Sequence, residues 1–161
     1  MALEFLAIGL IYAIVGAALA VFLPGAGSAI GVGIVGQGAA GAIAEDPDKF
    51  GKLIILQALP GTQGIYGLLA AFMILTKMGF PGEFVDISLQ TGLALFGAAL
   101  PIGVVGFISA IYQAKVALAG VNILMKKPDE MGKAIILAAM VETYAVLGLL
   151  ATILLINNIA V

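Results

Sequence analysis

Four long apolar runs constrain what this chain can fold into. They cover roughly residues 4–44, 50–77, 87–125 and 131–157. A helix crosses a bilayer with about 20 apolar residues, so each run is long enough to span. The expected fold is an all-α membrane protein with four transmembrane helices. Composition agrees, since only 10% of the 161 residues are charged, against about 25% in a soluble domain. The first and third runs exceed one crossing: about 40 residues of helix reach about 60 Å. They should project beyond the bilayer or bend within it. Pro24 and Pro101 are the candidate bends, because each removes a backbone donor and crowds the preceding turn.

The polar breaks are Glu45-Asp46-Pro47-Asp48-Lys49, Lys77 to Glu83, and Lys126-Lys127-Pro128-Asp129-Glu130. Lys49, Lys52, Lys126, Lys127 and Lys133 gather at the first and third breaks, and Lys77 alone lies at the second. The positive-inside rule then predicts that loops 45–49 and 126–130 are cytoplasmic and both termini outside. Glu4 stands where a secretory signal carries positive charge, so the N-terminus reads as the start of a retained helix. The chain has no Cys and no His, which excludes disulfides, thiol catalysis and the commonest transition-metal ligand. No basic run points to nucleic acid.

The chain repeats itself at an offset of 81. Ser28-Ala29-Ile30 matches Ser109-Ala110-Ile111, Pro47-Asp48 matches Pro128-Asp129, and Gly67-Leu68-Leu69-Ala70 matches Gly148-Leu149-Leu150-Ala151. The expected organisation is two duplicated helical hairpins, residues 1–80 and 81–161. An even number of crossings makes the two copies parallel, related by an axis along the membrane normal. That symmetry suits a homo-oligomeric ring.

Glu142 breaks the repeat. It lies inside the fourth apolar run, and its counterpart in the first hairpin is Gly61. A carboxylate in hydrocarbon is costly and marks a functional site by default. Glu142 is 14 residues past Pro128, and Gln113 is 15 before it; Thr62 and Gln63 are 15 and 16 past Pro47. The helical rise sets all four roughly 20–25 Å from their loops, at one membrane level. They offer a carboxylate, a hydroxyl and two amide carbonyls, the oxygen ligands that hard cations prefer. Pro60 and Gly61 loosen the helix beside them, and the proline alone frees the carbonyl of Leu56. Tyr66, one turn on, is placed to orient the carboxylate. Taken singly, Thr62 and Gln113 also suit plain interhelical bonding. Lys115 should point to a different face from Gln113 and snorkel toward the cytoplasm.

Gly31-Val32-Gly33-Ile34-Val35-Gly36 fits a dinucleotide fingerprint but lacks the strand that the motif requires. Gly27, Gly31, Gly38 and Gly41 instead fall on one helical face suited to close helix packing, with Gly103 and Gly106 doing likewise on the third span.

With LPGTQGIYG at 59–67, VETYAVLGLL at 141–150 and the Lys-Pro-Asp loop in a duplicated hairpin, the chain resembles the proteolipid rotor subunits of V-type ATPases, nearest the bacterial sodium-pumping group. The resemblance implies a Na⁺ site of the Leu59 main-chain carbonyl, Thr62, Gln63, Gln113 and Glu142, with Tyr66 bonding the carboxylate. It favours the Leu59 carbonyl over that of Leu56. It also implies a ring of identical subunits turning in the cell membrane against a stator subunit with an essential Arg. A central-stalk subunit would dock at the cytoplasmic loops, and this chain would bind no nucleotide. H⁺ would compete with Na⁺ for the carboxylate. The alternatives are a rotor carrying H⁺, a small oligomeric transporter or pore, and a purely structural membrane oligomer.

Overall fold

The structure, a computed structural model, describes residues 2–161, with side chains from Ile8 onward; the Glu4 side chain lies outside it. The described residues hold five α-helices: α1 (Ala2–Glu45), α2 (Phe50–Ala58), α3 (Thr62–Lys77), α4 (Leu89–Lys126) and α5 (Met131–Asn158). The second span is α2 and α3 joined by a 3₁₀ turn at Leu59–Gly61. Short 3₁₀ turns at Pro47–Lys49 and Pro128–Glu130 open the second and fourth spans. All four spans are long and apolar enough to cross a membrane. Helix is the fold such sequences require, because within the bilayer core it satisfies each backbone N–H and C=O inside one segment.

α1 and α4 form the most extensive helix pair, α3 leans on α1, and α5 on α4. Small residues set this arrangement. The buried stripe of α1 runs Ala13, Ala17, Ala20, Gly27, Gly31, Val35, Ala39, Ala42, a spacing of three to four residues with few exceptions. A Cβ on Gly27 would lie 2.7 Å from the Phe107 carbonyl oxygen, and one on Gly31 2.9 Å from that of Ala110. The helices therefore approach backbone to backbone, which side chains of ordinary size forbid. Gly41 departs from the expected contact face: it is exposed and nothing lies near it, because the contact stripe drifts round α1 and passes through Ala39 and Ala42 instead. Gly38 meets only the Leu118 side chain.

Pro24 and Pro101 lie inside helices that run on through them. Pro24 is a wedge, its ring seated against Gly67 of α3 and Gly106 of α4. The Ile102 amide beside Pro101 donates to the buried Thr152 hydroxyl at 3.2 Å, tying α4 to α5.

The hairpin turns follow local rules. Asp46 caps the first by accepting from the Asp48 amide at 3.1 Å, and Lys49 pairs with it at 3.0 Å. Pro47 then takes the first helical position, where no donor is needed. The second copy has Lys127 in place of Asp46 and no side-chain cap. Between α3 and α4, Gly79 adopts φ +106°, which favours glycine. Ser88 caps α4 by accepting from the Thr91 amide at 3.2 Å.

The core divides in two along the helices. One apolar cluster gathers Ala13, Ala20, Ile74, Leu95, Ile102 and Ile156; the other gathers Val35, Leu53, Leu56, Ala117, Leu124 and Ala138. Between them lies one polar level containing Ser28, Gln63, Ser109, Gln113 and Glu142. Outside, large apolar side chains such as Phe22, Ile65, Leu68, Ile136, Met140 and Leu154 are exposed. A protomer in a bilayer presents such a surface to lipid and to neighbouring copies.

Candidate ion-binding site

Glu142 sits on α5 between the two apolar clusters, and three helices reach it. The Tyr66 hydroxyl of α3 donates to Oε1 at 2.6 Å. The Gln113 amide nitrogen of α4 donates to Oε2 at 3.1 Å. Gln113 Oε1 accepts in turn from Gln63 Nε2. Gln63 and Gln113 are fully buried, and Glu142, Thr62, Leu59 and Tyr66 are half-buried.

The break in the second span exposes oxygen. Pro60 has no N–H and forces the 3₁₀ turn at Leu59–Gly61. The Leu59 carbonyl accepts from the Thr62 amide, and the Thr62 hydroxyl also lies 3.1 Å from it. The same hydroxyl is 3.3 Å from Gln63 Oε1. Leu59 O, Thr62 Oγ1 and Gln63 Oε1 thus cluster at the start of α3. The repeat supplies an internal comparison. Thr143, the counterpart of Thr62, is 2.7 Å from the carbonyl of Met140, the counterpart of Leu59. Both Thr hydroxyls bond back three residues, and only the first hairpin adds the proline-bent turn.

Lys115 is exposed and faces away from this cluster, its Nζ 4.5 Å from the centre of the Tyr112 ring. Among the described residues no group of three or more carboxylates forms a metal site. What the level offers is one carboxylate with neutral oxygens, a set matched to a monovalent hard cation.

Two residues of this level escape a reading of the sequence for ligands. Ser109, buried on α4, accepts from Gln63 Nε2 at 3.3 Å and donates to the Val141 carbonyl at 3.1 Å. Ser28, its repeat counterpart on α1, accepts from the Gly64 amide at 2.9 Å. The available signal was spacing: Ser109 lies one turn before Gln113 on the same face.

Two like helical hairpins around one polar level define a four-span membrane proteolipid. A sequence profile of the ATP synthase C-subunit family matches residues 15–74 and again 96–155, both ends of the match shifted by 81 residues. The chain belongs to this family, whose members form oligomeric rings. It is 48% identical over 150 residues to the V-type sodium ATPase subunit K of Enterococcus hirae, covering 93% of each chain. It is 45% identical over 150 residues to the A-type ATP synthase subunit K of Methanocaldococcus jannaschii, covering 93% of this chain and 64% of that one. It is 28% identical over 144 residues to the 16 kDa proteolipid of the human V-type proton ATPase, covering 89% of this chain and 90% of that one. The chain is therefore a multi-pass, non-catalytic rotor proteolipid of a rotary, ion-transporting ATPase.

Proposed function

We propose that this proteolipid carries Na⁺ across the membrane at Glu142, with Leu59, Thr62, Gln63 and Gln113 as the other ligands and Tyr66 latching the carboxylate. One observation carries the reading. Both Glu142 oxygens accept hydrogen bonds, from the Tyr66 hydroxyl and the Gln113 amide. Donors at both oxygens are what an ionised carboxylate, which only accepts, requires. An ionised carboxylate at this depth needs a cation beside it, since an isolated charge there is costly. The relative from Enterococcus hirae is named as a sodium ATPase subunit, which supports the same ion.

The working cycle is the one that the resemblance to rotary proteolipids implies. Loaded with Na⁺, the site is neutral and passes through lipid as the ring turns. At the stator, an essential Arg of the membrane stator subunit attracts the carboxylate and helps release the ion. The Pro47–Lys49 and Pro128–Glu130 turns face the cytoplasm of a cell membrane and meet the central stalk, which transmits rotation driven by ATP hydrolysis in the soluble head. The two hairpins, 1–80 and 81–161, share this work unequally, because among the described residues only the second holds a carboxylate at this polar level.

The test is dicyclohexylcarbodiimide labelling of Glu142 in native membranes across pH, with and without Na⁺. The reagent attacks a protonated buried carboxyl. Labelling at Glu142 that Na⁺ suppresses is the expected result. Labelling indifferent to Na⁺ would turn the reading to a proton carrier. No labelling at any pH would leave Glu142 without an accessible carboxyl and end the proposal.

A further inference from the structure

We infer that Ser109 is a positioning residue that fixes which end of the Gln63 amide faces the ion; this rests on the Na⁺ site proposed above. The argument is one of hydrogen-bond direction. A Gln side chain has an oxygen that attracts a cation and an NH₂ that repels it, and the two ends differ little in shape. A ligand set that includes Gln63 works only if the oxygen faces inward. Something must decide that orientation.

Ser109 decides it through its single hydrogen. The Val141 carbonyl, 3.1 Å away, can only accept, so the Ser109 hydroxyl donates to it. The Ser109 oxygen is then left as an acceptor, and only the NH₂ of Gln63 satisfies it, at 3.3 Å. Gln63 Oε1 is thereby directed to the opposite side, where Thr62 lies 3.3 Å off. Ser109 is 4% exposed, so water does not compete for these bonds.

Gln113 makes a second contact with the Gln63 amide nitrogen, but its orientation depends on donating to Glu142. That hold changes when Glu142 loads, empties or takes a proton. The hold of Ser109 does not, because its anchor is main chain. The same bond clips α4 to α5 at the residue preceding Glu142, so one hydroxyl sets both the amide and the approach of the carboxylate-bearing helix. Ser28 occupies the equivalent position in the first hairpin, and its oxygen meets a main-chain amide of Gly64 instead. The duplication thus supplied a serine at this level twice, and one copy is turned to orienting a ligand.

The experiment uses the intact ATPase in its membrane. Dicyclohexylcarbodiimide labelling of Glu142 is followed against Na⁺ concentration for the unaltered protein, Ser109→Ala, Ser109→Thr and Ser109→Val. Thr and Val have the same shape and differ only in the hydroxyl, so packing changes cancel between them. Labelling without Na⁺ is measured for each variant, and protection is expressed as a fraction of it, so a change in the reactivity of Glu142 itself does not enter the comparison. Half-protection should need about tenfold more Na⁺ in Ser109→Ala and Ser109→Val, the worth of roughly one buried hydrogen bond. Ser109→Thr should stay close to the unaltered protein. Unchanged protection in Ser109→Ala overturns the inference, as does an equal shift in the Thr and Val variants. Labelling of the unaltered protein that ignores Na⁺ removes the site itself, a separate failure that the same data reveal.

Discussion

At the residue scale, the site is a chain of donors and acceptors ending on one carboxylate. Tyr66→Phe deletes only the hydroxyl that donates to Glu142 at 2.6 Å. Hydrogen bonds to charged groups contribute about 1.5–3 kcal/mol, so half-protection by Na⁺ in carbodiimide labelling should shift at least about tenfold. Gln113→Ala removes both an oxygen ligand and a donor to Glu142, and should abolish Na⁺ dependence of labelling; unchanged Na⁺ affinity would sink the site as drawn. The polar side chains were legible in the sequence because a helix converts residue counts into depth, so Glu142, Gln113, Thr62 and Gln63 could be set at one level by arithmetic. Their bonding pattern was not, since counts give depth and relative face within one helix, but not how the helices are turned toward one another. Ser109 was passed over because a serine in an Ala- and Gly-rich helix has many uses, and only the fold brings it to Gln63.

At the element scale, the second span matters most, because it is the one span that the structure breaks. Pro60→Ala restores a backbone donor and the ordinary ladder through Leu59–Gly61. Helix should become more regular there, and the Leu59 carbonyl should turn back along the axis. The expected outcome is weaker Na⁺ protection of Glu142 without loss of ring stability, a separation that unfolding alone cannot produce. Gly67→Ala should do the opposite. Its new Cβ would collide with the Ala20 carbonyl and the Pro24 ring, neither of which can yield cheaply. Overpacking of this kind costs about 1–3 kcal/mol, and should appear as a lower midpoint for thermal disassembly of the ring. Helix limits were close to legible: the apolar run 87–125 became α4, Leu89–Lys126, and 131–157 became α5, Met131–Asn158. Glycine contacts were legible only in part. Gly27 and Gly31 face α4 as their spacing predicts, while Gly41 does not, since four positions cannot hold one narrow seam across the length of α1.

At the scale of the whole molecule, the repeat governs. Sequence identity at an offset of 81 and two profile matches with the same offset describe one hairpin used twice. Two parallel hairpins place both Lys-bearing turns on one side of the membrane and the Met78–Ser88 connection on the other. The turn carrying Asp48 and the turn carrying Asp129 must therefore share a compartment, whichever it is. The positive-inside rule predicts the compartment: Lys49, Lys52, Lys126, Lys127 and Lys133 flank the two turns, against Lys77 at the opposite end, so both turns are expected in the cytoplasm. The chain lacks cysteine, so single cysteines report without further engineering. Asp48→Cys and Asp129→Cys should react with a membrane-impermeant maleimide in inverted vesicles and not in intact cells, and Gly82→Cys should show the reverse. Reaction of Asp48→Cys and Asp129→Cys from opposite sides would break the duplicated-hairpin topology. Reaction of both from outside the cell would keep the topology and invert its orientation, and with it the side on which a central stalk can bind.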